Sequence, residues 1–284
     1  MSLFDAHCHL HFPDLRAALP LEDLALRFKG AGVVGAVCCG TNPNDWAEVV
    51  KIQRAFADYS FQVCVQFGVH PWDSVKLDLE ESMITLRSYL LQHPEAGVGE
   101  IGLDRARRPC CGNMPMQMEF FKRQLMLAVE LCRPVSIHSV RTHGLVLEAL
   151  ESTGFSRAGL PFVLHQYCGG RDLTSMFLTA ATSKDDGPFF SVSAKLFHGA
   201  AANALEVLGG TPLDRLLIET DSPCQPVAPG PGCTTSPPLL SPTVNDCSQL
   251  VNTAHLVADC LNIDNVAELT FENAKRAFRV KLLQ

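Results

Sequence analysis

Two histidines one residue apart, His7 and His9, follow Asp5 near the start of the chain. A carboxylate, Asp221, stands in Glu219-Thr220-Asp221-Ser222-Pro223 near its end. Between them, Gly99-Glu100-Ile101-Gly102-Leu103-Asp104, Ile137-His138-Ser139 and Leu164-His165-Gln166 each close a short Leu-rich or β-branched run with a polar group. Imidazole suits zinc and similar first-row metals, and carboxylate also accepts manganese and magnesium. If Glu100 bridges, four histidines and two carboxylates supply about three ligands to each of two cations and leave room for water, as a catalytic site requires. Two cations roughly 3.5–4 Å apart generate hydroxide and clamp the oxygens of an in-line phosphoryl displacement. Asp221 suits both holding a metal and taking the proton of the attacking water. The expected centre is His7, His9, Glu100, His138, His165 and Asp221 around two divalent ions, zinc, magnesium or manganese, and the expected chemistry is hydrolysis.

Something must bring these residues together. Strand-like runs are read at Leu3–His9, Val33–Cys39, Val63–His70, Gly97–Leu103, Pro134–His138, Pro161–His165, Phe189–Ser193 and Leu216–Asp221. Segments of helical spacing separate them, such as Met118, Phe121, Leu125, Ala128 and Cys132 along one face. Asn44 and Asp45 are expected N-caps of the helix that follows. Eight β-then-α units in series predict an α/β fold, a (β/α)8 barrel whose polar strand ends meet at the C-terminal rim. An HxH pair alone is often ordinary polar lining; its recurrence at further strand ends gives it weight. Alternation along the first strand puts Asp5, His7 and His9 on one face and turns Ala6 and Cys8 away. Pro223 through Pro242, rich in Pro, Gly, Ser and Thr, is expected to form a loop over the barrel mouth.

At 284 residues the chain is long enough for one such barrel, read as a single domain over 1–284. A hydrophobic fraction of 47% gives it a large core. The net charge of −7 excludes binding through a broad basic surface but not phosphate substrates, since bound cations invert the local field. The 12 cysteines contain no CxxC pair, which removes a zinc-finger reading. No apolar stretch approaches the roughly 20 residues of a membrane span. The first residues show no secretory signal, so reduced thiols in the cytoplasm, or in the nucleus, are expected.

In this order the motifs are specific, and the chain resembles the TatD family of metal-dependent hydrolases in the amidohydrolase superfamily. The resemblance rests on DxHxH at Asp5–His9, Gly68-Val69-His70-Pro71, GEIGLD at Gly99–Asp104, and Gln117 to Gln124 leading to Pro134–Ser139. It continues through Glu219–Pro223 to the terminal Asn273-Ala274-Lys275-Arg276-Ala277-Phe278. It implies the barrel, the six-residue metal site and phosphodiester hydrolysis, often of DNA. The chain departs from the family pattern at three places. Arg105 follows GLD where an aromatic is common, Gln166-Tyr167 follows the last ligand histidine where Cys-Phe is usual, and Asn245-Asp246 replaces an Asn-Glu-Pro triplet.

Outside the metal shell, His70 is expected to line the substrate site rather than bind metal. Asp104 is expected to orient a histidine or arginine. Arg105, in a cluster with Arg107 and Arg108, suits phosphate through its guanidinium fork; Lys195 and His198 are further candidates. The expected partner is DNA or another phosphodiester, with no membrane and no obligate protein partner. Two other readings are hydrolysis of a C–N or lactone bond, and a non-catalytic scaffold. Bridged sites of the first kind often use a modified lysine where this chain has Glu100, and the complete ligand shell argues against the second.

Overall fold

Eight parallel strands pair in chain order: β1 (Leu3–Cys8), β2 (Val33–Cys39), β3 (Gln62–Phe67), β4 (Gly97–Asp104), β5 (Val135–Val140), β6 (Phe162–Leu164), β7 (Pro188–Val192) and β8 (Leu216–Ile218). Past the end of β8 the ring is joined to β1 by Asp221 N–H donating to the His7 carbonyl at 3.0 Å and, one residue beyond β1, by His9 N–H donating to that of Ser222 at 2.6 Å. The structure is a computed structural model and describes residues 2–106, 113–181, 187–199, 201–227 and 237–280. Among these residues it is the (β/α)8 barrel that the repeating units imply. No helix of the described residues is long and apolar enough to cross a membrane.

Helices α1 (Pro13–Ala18) and α2 (Leu21–Gly30) follow β1, and α3 (Trp46–Ala57), α4 (Leu79–Gln92), α5 (Met114–Glu130), α6 (His143–Ser152), α7 (Arg171–Ala180) and α8 (Ala201–Gly210) follow successive strands. After β8 come α9 (Leu250–Leu261) and α10 (Val266–Phe278). The helices surround the sheet, α3 packing on β3 and α5 on β4 through apolar stripes. In α5 the stripe is Phe120, Phe121, Leu125 and Ala128, close to the expected face, with Gln117 and Gln124 buried beside it. Truncating a fully buried ring such as Phe121 to alanine costs about 3–5 kcal/mol. A second cluster joins Phe4, Val37, Val163, Phe189 and Leu217, from five strands, to Phe271, Ala274 and Phe278 of α10.

Several boundaries differ from the sequence reading. β3, β6 and β8 end at Phe67, Leu164 and Ile218, so His70, His165 and Asp221 lie on the loops just beyond them. His9 likewise lies past the end of β1. Asp45 does occupy the N-cap position of α3, but its side chain makes no cap hydrogen bond. Its carboxylate accepts instead from Thr41 N–H at 3.0 Å and Thr41 Oγ1 at 2.6 Å.

The expectation that Asp5 shares a face with His7 and His9 is wrong. The register of β1 on β2 shifts between Asp5 and Cys8, and simple alternation breaks there. The Asp5 carboxylate accepts from Thr220 N–H at 3.0 Å and from the Thr220 hydroxyl, and it lies in a buried group with Cys8 and Cys247. Cys8 does turn away from His7, donating to the Val37 carbonyl at 3.2 Å.

Candidate metal centre

Glu100, on β4, is 2% exposed and ringed by imidazoles. Its two oxygens face different sets. Oε2 lies 3.3 Å from His7 Nε2 and 3.4 Å from His9 Nε2. Oε1 lies 2.8 Å from His138 Nδ1, 2.8 Å from His165 Nε2 and 3.4 Å from His70 Nε2. Asp221 Oδ1 joins the first set, 3.5 Å from His9 Nε2 and 3.9 Å from His7 Nε2. The barrel thus brings all six expected ligands to one end. Gly102 permits the tight approach of β4 to β5 behind them: a Cβ there would fall 2.0 Å from the His138 carbonyl oxygen, at φ +144°.

Each ring's outward nitrogen decides what its inward nitrogen offers. His9 Nδ1 sits 2.7 Å from the Cys39 carbonyl, so it carries the proton and leaves the Nε2 lone pair facing Glu100 and Asp221. His138 Nε2 lies 3.3 Å from Asp104 Oδ2, which turns its Nδ1 inward, whereas His165 Nδ1 lies 3.5 Å from Glu219 Oε1 without an aligned hydrogen bond. The thiol of Cys39 donates to Gln66 at 3.6 Å, so its sulfur can accept from His7 Nδ1 at 3.5 Å. His70 is the opposite case. Its Nδ1 accepts the backbone N–H of Trp72 at 3.2 Å, leaving a proton on Nε2 to donate toward Glu100.

Electrostatics follow from this crowding. Burial opposes ionisation of Glu100, yet His165, His70, His7 and His138 hold its carboxyl well below the usual range. Burial disfavours charge on His9 and His165, but the carboxylates beside them raise both well above an ordinary imidazole. Burial wins at His7, where His165 adds to it, and at His70; both are lowered. Burial opposes charge on Asp221 as well, and His9 nonetheless keeps it low.

The donor set fits divalent cations. His7 Nε2 is buried and lacks an aligned hydrogen bond, although Glu100 is 3.3 Å away. His138 Nδ1 and His165 Nε2 face each other at 3.1 Å beside Glu100 Oε1, two nitrogens that a shared cation would ligate in place of protons. Three buried acceptor groups behind the histidines match the carboxylate and carbonyl support common around metal ligands.

Sequence reading missed part of that support. Glu219 accepts from Gln166 N–H at 2.9 Å and from the Ser191 hydroxyl while facing His165; its place two residues before Asp221 was the available signal. Gln166, marked in the sequence only as a departure from the family pattern, and Gln225, which carried no signal, both reach Asp221. Asp104 is where an orienting residue was expected: besides His138 it accepts the indole N–H of Trp72 at 2.6 Å.

Arg105 follows Asp104 on the exposed rim, its N–H donating to the Val140 carbonyl at 3.0 Å. Arg107 and Arg108 lie outside the described residues. Lys195 and His198 are exposed on the 3-10 turn Ala194–His198 after β7. Of the Pro-rich segment, Gln225 enters the site, whereas Pro237 and Pro238 are held by Gln249 and by Arg27 of α2; residues 228–236 lie outside the described residues.

The chain has relatives among known proteins. It is 29% identical over 266 residues to the 3'-5' ssDNA/RNA exonuclease TatD of Edwardsiella piscicida, covering 92% of this chain and 94% of that one. It is 29% identical over 231 residues to an uncharacterized metal-dependent hydrolase of Haemophilus influenzae, covering 80% and 83%. The crystal structure of YjjV, a TatD homologue from Escherichia coli K12, superposes with a TM-score of 0.79 over 98% of both chains at 24% identity, a likeness of fold. The family described as TatD related DNase matches residues 4–279, nearly end to end. With its barrel and its ring of buried histidines and carboxylates, this chain belongs to the TatD related DNase family.

Proposed function

We propose that the protein is a divalent-metal-dependent phosphodiesterase acting on DNA, with two ions at the centre described above. The observation that carries this reading is the division of Glu100, one oxygen toward His7 and His9, the other toward His138 and His165. Family membership and the exonuclease name of the Edwardsiella relative support the substrate class. His7, His9 and Asp221 would hold one ion and His138 and His165 the other, with Glu100 between; zinc, manganese and magnesium all suit this set. Such ions, when bound, supply an acidic water and offset charge on the phosphoryl oxygens.

The chain's own residues do the rest. Asp221 takes the water's proton at Oδ1, because its Oδ2 is already engaged by two amide groups. Asp104 holds His138 in the tautomer that faces inward. His70 donates from Nε2. Trp72, 37% exposed and anchored through its N–H on Asp104, presents a ring on which a nucleobase can stack, and Arg105 offers its guanidinium to a phosphate beyond the scissile bond. The reducing interior of a cell suits the buried free thiols of Cys8, Cys38, Cys39 and Cys247, which supports a cytoplasmic or nuclear location.

The test is elemental analysis of the purified protein followed by a panel of end-labelled single- and double-stranded DNA, RNA, a simple phosphodiester and a lactone, each with Zn2+, Mn2+ or Mg2+. Cleavage of DNA that is abolished by chelation and restored by metal is the expected result. Turnover of the lactone alone would replace this reading with the C–N or lactone hydrolase.

A further inference from the structure

Three side chains of one hydrogen-bond network stand on left-handed backbone: Gln166 at φ 45°, Asp221 at φ 57° and Gln225 at φ 52°. None is glycine, the residue that adopts this conformation without steric cost. The network converges on one atom. Gln166 Nε2 donates to Asp221 Oδ2 at 2.8 Å, and Gln225 Nε2 donates to the same oxygen at 2.7 Å. A carboxylate only accepts, so the amide nitrogens must be the groups that face it. Gln225 Oε1 is buried with no hydrogen-bond partner, so that side chain is placed at some expense to its own polar end. Strained backbone with a polar side chain aimed at a reactive group is a pattern of functional sites.

We infer that Gln166 and Gln225 are positioning residues that clamp Asp221, saturating Oδ2 so that Oδ1 alone is presented to the cation beside His7 and His9. The inference rests on the metal reading above and deepens it. It also gives a purpose to Gln166, which stands where the family pattern carries Cys. A thiol is a weak donor and a short one. The Gln166 backbone N–H is bound separately, donating to Glu219 Oε1 at 2.9 Å, so the loop keeps its anchor when the side chain changes.

Glycine provides the discriminating variant. Gln166→Gly and Gln225→Gly remove the amides while relieving the left-handed backbone, so the lost hydrogen bond and the relieved strain oppose each other and Tm should change little. Each should nevertheless lower kcat about 10-fold with KM within about 2-fold, the signature of a group that acts at the reacting centre rather than in substrate binding. The chelated protein titrated with Mn2+ alone, by electron paramagnetic resonance, should show one of its two affinities weakened about 10-fold. Gln166→Glu, the same size but an acceptor facing an acceptor, should weaken it further than glycine does. Mn2+ affinity unchanged in both Gln166→Gly and Gln166→Glu would overturn the clamp. So would a fall in Tm that accompanies the loss of kcat, since the amides would then be structural. If the parent protein cleaves no phosphodiester, the proposed substrate fails, and the Mn2+ titration still decides the clamp.

Discussion

Asp221 donates its backbone N–H to the carbonyl of His7 across 3.0 Å. The last expected ligand of the chain is thereby tied to the first, over a separation in which every other strand is laid down. The same contact joins β8 to β1. Closing the barrel and assembling the metal centre are one event, so a chain that fails to close cannot hold the first ion through both its carboxylate and its histidines.

Glu100→Gln should separate chemistry from folding. The amide keeps the shape but replaces one of two anionic oxygens with a donor, which cannot serve both histidine sets. Elemental analysis should show the loss of at least one ion per chain. Turnover should fall by about 100-fold or more, with circular dichroism unchanged. Full activity in this variant would remove the bridge.

Asp221→Asn should be more severe than its size suggests. Two amide donors from Gln166 and Gln225 already point at one side of this group. An asparagine satisfies them only by turning its oxygen outward, which leaves its NH2 toward His7 and His9. Ligation and proton acceptance are lost together, and turnover should drop by orders of magnitude. Survival of both metal content and turnover would assign the base elsewhere.

Arg105→Ala tests the substrate. If the guanidinium holds a phosphate, KM for single-stranded DNA should rise by about 10-fold at low salt, and the gap from the parent should narrow as salt increases. An uncharged ester or lactone should be affected far less. Equal losses on both substrates would make Arg105 structural.

The metal-free protein should respond to pH in the opposite sense from the metal-loaded one. His9 and His165 are raised above the ordinary value of 6.5, so the stability they lend is complete below that value and is lost as pH rises through their folded-state pKa values. Asp5, pushed up to about 7 by burial, acts in the same direction, being easiest to bury while neutral. His7 and His70 are lowered, so their effect is finished below 6.5. The chelated protein should therefore lose Tm over the interval that opens at about pH 6.5 and runs upward. The Zn2+-loaded protein should hold or gain, because metal competes with protons for the same lone pairs. Parallel Tm curves for the two forms over this interval would count against the shared ligands.

The sequence by itself was enough for the barrel and for the six residues at its rim, because both follow from local rules. A buried strand reads as a short apolar run, and a polar residue closing such a run is placed at the rim whatever the details of packing. The face of Asp5 was misread for the complementary reason. A register shift is a property of two paired strands, and nothing within Leu3–Cys8 announces how it sits on Val33–Cys39. The roles of the histidines also needed the tertiary structure. His70 and His138 look alike in the chain, yet one meets a backbone donor at Trp72 and the other a carboxylate at Asp104, and these neighbours set which nitrogen keeps the proton. Gln166 and Gln225 lie 59 positions apart, taking 225 − 166, and each is an ordinary polar residue until three left-handed turns bring both amides to one oxygen of Asp221. Hydrogen-bond direction and loop conformation are decided between segments, and there the chain's own pattern is silent.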